Sequence, residues 1–171
     1  MSRFNIRELI FNFISLVVIQ LPLLYRITIG DHAFAFFYVG FLLTLPFRLS
    51  RSYLLLIGFF VGLIVDVFSN TPGIHAGACV FVMYVRDLWL TIVHDDTEEL
   101  TNINHVSLGK IGFVLFMLPP VLIHHFLIFT VENGGVHLFG TLMTKTLFSS
   151  IFSLVVIFVL NYLIVPAPRR I

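Results

Sequence analysis

The stretch Gly58-Phe59-Phe60-Val61-Gly62-Leu63-Ile64-Val65-Asp66-Val67-Phe68-Ser69-Asn70-Thr71-Pro72-Gly73-Ile74-His75-Ala76 decides the fold. An apolar run stops at a short polar turn, a Pro-Gly pair reverses the chain, and a second apolar run begins. That pattern is a helical hairpin whose solvent is lipid. Gly58, Gly62 and Asp66 follow one another at intervals of four, so they share a helix face. Small residues on such a face let a neighbouring helix approach closely. Asp66 then falls at the end of the span, where its carboxylate either reaches the interface or caps the turn that follows.

Outward from this hairpin the chain keeps the same character. Of its 171 residues, 58% are hydrophobic and 11% charged, too few polar groups to cover a water-soluble core. A helical span needs roughly 20 apolar residues. Six apolar segments are expected as an all-α, six-helix transmembrane bundle: 9–25, 33–47, 53–68, 74–93, 109–131 and 138–165. The second and third are short for a full crossing. Turn-forming residues separate the segments, and no loop is long enough to be a domain, so residues 1–171 read as a single polytopic membrane domain. Arg3 and Arg7 precede the first run as in a signal sequence. Pro22, Tyr25 and Arg26 then stand where small residues would mark cleavage, so an uncleaved first helix is expected.

Lys and Arg in short loops set orientation. With both termini cytoplasmic, that face collects Arg3, Arg7, Arg48, Arg51, Lys110, Arg169 and Arg170, and the opposite face holds Arg26. Asp95, Asp96, Glu98 and Glu99 form either a solvated cytoplasmic loop or a docking point for a cytoplasmic partner. A net charge of +1 suggests no nucleic-acid partner.

Ionisable residues inside a membrane are costly and point to function or to a buried pair. Asp66, His75, His124, His125 and Lys145 all fall in one half of the bundle and could form a polar layer. Three readings compete. One is structural, with Lys145 paired to Asp66 or a neighbouring carboxylate and the histidines hydrogen-bonded. The second is a small-ligand pocket, and the third a metal site. No recognised metal-ligand spacing is present, and the adjacent His124 and His125 point about 100° apart on a helix. Thr141, Lys145, Ser149 and Ser153 form a stripe expected to face the bundle interior. Arg86, beside Asp87, reads as a snorkelling or ion-paired cation. Cys79, the single cysteine, reads as a small packing residue. No nucleophile motif and no phosphate-binding loop is found, so no enzyme, no cofactor and no metal is expected.

The hairpin resembles the rod shape-determining MreD family. That family's pattern is Gly-Leu-x-x-Asp, a short polar turn, Gly-x-His-Ala and a Tyr-x-Arg-like ending. Here the matching positions are Gly62, Leu63, Asp66, Gly73, His75, Ala76, Tyr84 and Arg86, with Gly58 and Pro72 in the same stretch. The resemblance covers about 30 residues, and the loop with His94, Asp95 and Asp96 departs from it. It implies a non-enzymatic, multi-pass scaffold in the bacterial inner membrane, embedded in membrane lipid. Such a scaffold serves cell-wall elongation and rod shape through MreC. Through MreC it connects to RodA, a class B penicillin-binding transpeptidase and MreB. It also implies a fold similar to the substrate-binding components of energy-coupling-factor transporters, so a vitamin or small-molecule transporter component is the alternative. Gly58, Gly62, Asp66, Pro72, Gly73, His75, Tyr84, Arg86 and Lys145 are the residues expected to build the packing or partner-contact surface.

Overall fold

The computed structural model describes residues 6–18, 20, 28–29, 33–47, 49–94, 100, 102–136 and 138–165. Arg3, Arg26, Arg48, Arg169, Arg170, the side chain of Arg7 and the acidic residues of 95–99 lie outside the described residues, and with them most of the expected charge bias.

Helix α1 (Ile6–Phe13) continues into a π-helical stretch, Ile14–Val18. Two short strands, β1 (Thr28–Ile29) and β2 (Ala33–Phe34), pair antiparallel with Thr28 opposite Phe34. A six-residue helix α2 (Tyr38–Leu43) follows. Then come α3 (Arg51–Ser69), α4 (Ile74–Val93), α5 (Gly109–Glu132) and α6 (Phe139–Ile164). Among the described residues, four helices, α3 to α6, are long and apolar enough to cross a membrane. They pack as consecutive neighbours: α3 on α4, α4 on α5, α5 on α6. The chain is therefore a multi-pass membrane helix bundle. Apolar side chains such as Val67, Ile92, Ile111 and Leu163 point outward, as lipid-facing residues must.

The second expected span is not a spanning helix. Residues 35–45 are all buried inside the bundle, with no lipid-facing side. A segment of fifteen residues would rise only about 22 Å as a helix, short of the roughly 30 Å hydrocarbon core. The aromatic run from Phe34 to Tyr38 also gives up side-chain freedom in a helix. The segment instead enters extended, forms under two turns of helix, and stops before Pro46. Apolar sequence looks the same whether it faces lipid or is wrapped by protein, and the similarly short 53–68 run does lie in a spanning helix.

The α3–α4 hairpin closes with few residues. Asn70 takes the left-handed conformation (φ 54°) at the end of α3, and Gly73 (φ 85°) stands immediately before α4. A Cβ on Gly62 would lie 2.5 Å from Ala76 Cα and 2.6 Å from His75 O, so only glycine permits this crossing. At Gly58 a Cβ would meet Met83 Cγ at 2.9 Å.

Candidate functional site: a buried polar cradle

Non-helical backbone can lie at membrane depth only where protein satisfies its polar groups. Around residues 33–45 side chains do this work. Ser149 Oγ accepts from Phe34 N at 2.9 Å, and Ser153 Oγ accepts from Phe36 N at 3.0 Å. Gln20 serves twice: its Oε1 accepts from Tyr38 N at 2.5 Å and its Nε2 donates to Ala35 O at 2.6 Å. At the far end Arg86, fully buried, donates from Nε to Leu43 O at 3.2 Å and from Nη2 to Leu45 O. Arg86 thus caps the C-terminus of α2 while pairing with Asp87 at 2.7 Å. It is the ion-paired cation of the sequence reading and does not snorkel.

Tyr38 joins the segment to α4 and α5. Its hydroxyl lies 2.7 Å from His75 Nδ1 and 2.9 Å from His124 Nε2. Cys79 Sγ sits 3.9 Å from the same His124 nitrogen. The direction of the neighbouring chain follows from donor chemistry. Val121 O can only accept, so His125 Nδ1 carries the proton and donates to it at 2.8 Å. A neutral His125 then accepts at Nε2 from the Ser153 hydroxyl, 3.0 Å away, while Ser153 accepts from Phe36 N. Phe36 completes the packing, edge-on to His75 with ring centroids 5.2 Å apart.

Asp66 works on the hairpin. Its Oδ1 accepts from Thr71 Oγ1 at 3.0 Å and His75 N at 2.9 Å, and its Oδ2 accepts from Ala76 N at 2.9 Å. Gly73 gives α4 no side-chain cap, and the carboxylate of the preceding helix fills that role. The expected Asp66–Lys145 pair is not formed: among the described residues the ion pair is Arg86–Asp87. Lys145 stands half-buried on α6, where its charge acts on Glu132. The α6 stripe divides accordingly, with Ser149 and Ser153 fully buried and Thr141 exposed.

The structure brings His75, His124, His125 and, through backbone, Asp66 into one layer. Gly58 and Gly62 pack behind it, Pro72 and Gly73 form the turn, and Lys145 stands apart. Tyr84 is exposed and lies under the Arg51 guanidinium at 4.1 Å. Tyr38 and Gln20 are cluster members that the sequence reading passed over. A lone glutamine within an apolar run was the available signal for Gln20, and Tyr38 carried none. Among the described residues no group of His, Cys, Asp or Glu is arranged to hold a metal ion. Among the described residues two clefts open elsewhere. One of about 500 Å³ lies between α1, α2 and α3 and is lined by Leu9, Phe13, Phe41, Leu56 and Phe60 among others. The other, of about 390 Å³, lies between the start of α4 and the end of α5. Both are apolar, and neither reaches the histidines.

Fold and site together define an integral membrane bundle whose intramembrane polar residues hold its own backbone. No protein-family model, no curated protein and no solved structure matches the chain.

Proposed function

We infer that the chain is a non-enzymatic membrane scaffold of the MreD kind, acting in bacterial cell-wall elongation through association with MreC. One observation carries this reading. The residues shared with the MreD pattern, Gly62, Asp66, Gly73 and His75, build the α3–α4 hairpin: Gly62 permits the close crossing, Asp66 accepts from His75 N and Ala76 N, and Gly73 takes the left-handed conformation before α4. Their pattern therefore specifies a packed shape, which is what a scaffold presents. The apolar cleft between α1, α2 and α3 is open to lipid and is the surface assigned to the single transmembrane helix of MreC. The chain sits in the inner membrane with both termini cytoplasmic, and RodA, the class B transpeptidase and MreB join through the same assembly.

The test is affinity purification of the tagged chain from mild detergent, with copurifying proteins identified by mass spectrometry. MreC is expected, accompanied by RodA or the transpeptidase. Recovery of an ATPase pair with a membrane coupling subunit, and no MreC, would replace the scaffold with a transporter component.

A further inference from the structure

The Tyr38 hydroxyl has one proton and two imidazole nitrogens within hydrogen-bond distance. At least one ring must therefore donate to the phenol oxygen, because its single proton cannot serve both. The far nitrogens, His75 Nε2 and His124 Nδ1, are buried and have no partner among the described residues. Tyr38, His75, Cys79, His124 and His125 are all fully buried. Among the described residues the titratable groups facing the cluster are Tyr38 from α2, Asp66 from α3, Cys79 from α4 and His125 from α5, with Glu132 acting from the end of α5. From α6 the contact is the uncharged Ser153. Neither carboxylate hydrogen-bonds an imidazole: Asp66 is committed to Thr71 and to the backbone of α4.

A proton added to this cluster must reside on a ring that water does not reach and no carboxylate touches. Such a charge is relieved by opening the site to solvent. Tyr38 is the segment's own side chain bonded to α4 and α5, while Arg86 holds only its far end, so opening the cluster loosens the segment from residue 38 onward. We propose that the Tyr38–His75–His124 cluster is a pH-operated latch, closed over neutral imidazoles and released by proton uptake, which holds residues 33–45 in the bundle. The sign follows from linkage. Seating needs neutral rings and release takes up protons, so seating is favoured above the ordinary imidazole range, near pH 6.5, and lost as pH falls through it.

The test is amide hydrogen exchange of the full chain in lipid nanodiscs at about pH 7.5 and about pH 5.5, corrected for intrinsic exchange rates. Protection of amides in residues 34–45 is expected to fall about tenfold at the lower pH for one ring protonated on opening, and about a hundredfold for two. Amides in the middle of α3 are expected to hold. The double variant His75→Gln with His124→Gln is expected to exchange equally at both values. Should that variant not fold, wild-type ¹⁵N-histidine spectra supply the second reading: the opened fraction then shows imidazolium below about pH 6. Equal protection of the wild-type segment at both pH values, or a pH response that survives in the double variant, would overturn the latch.

Discussion

Single positions carry the tightest constraints in this bundle. Gly62 and Gly77 lie on adjoining helices and make opposite predictions. A methyl at Gly62 collides with the backbone of Ala76 and His75, and backbone cannot rotate away as a side chain can. A methyl at Gly77 meets nothing within 4 Å. Gly62→Ala is therefore expected to destabilise the protein by about 1–3 kcal/mol through forced separation of α3 and α4. Gly77→Ala is expected to be neutral or to stabilise by up to about 1 kcal/mol from helix propensity. Thermal unfolding in detergent reads both, and equal effects would show that the close crossing does not matter. The Gly58, Gly62, Asp66 spacing was legible in the sequence because helix periodicity alone puts the three on one face. The partner of Asp66 was not. A carboxylate in a membrane suggests a cation, and Lys145 was the nearest in register. The three donors it found instead, two of them backbone amides, have no sequence signature.

Elements show how polar groups at membrane depth find partners. Pro119 and Pro120 lie inside α5, and a proline cannot donate to the carbonyl four residues earlier. For Pro119 that carbonyl is Leu115 O, and Trp89 Nε1 donates to it at 3.2 Å. The indole thus repairs the gap the proline leaves, and the two residues should be coupled. Trp89→Phe is expected to cost about 0.5–1.5 kcal/mol in the native background. With Pro119→Ala in place, residue 119 regains its own donor and the cost should fall toward zero. A double-mutant cycle measures the coupling, and full additivity would contradict it. Helices α4, α5 and α6 were legible nearly to the residue because long apolar runs bounded by turn signals leave little choice. The 33–47 segment was not, since hydropathy cannot say whether an apolar residue meets lipid or protein. Length alone did not decide it, since the similarly short 53–68 run lies in a spanning helix; the Ser149 and Ser153 stripe, which had to satisfy something, held the information.

At the scale of the whole molecule the bundle is organised around a segment that does not cross it. Residues 35–45 lie buried against α4, α5 and the N-terminal helical stretch; Ser149, Ser153, Gln20 and Arg86 fasten the segment's backbone and ends, and Tyr38 ties it to α4 and α5. Among the described residues these interior side chains are spent on the segment, and the apolar clefts lie outside them, an arrangement that suits the scaffold reading. The most direct test is amide exchange at neutral pH in the double variant Ser149→Ala with Ser153→Ala. Without the two hydroxyls, Phe34 N and Phe36 N lose their acceptors. Protection across residues 34–38 should then collapse by about tenfold or more, while α3 and α4 stay protected. Unchanged protection of Phe34 and Phe36 in that variant would mean that the α6 serines do not hold the segment, and would contradict the account.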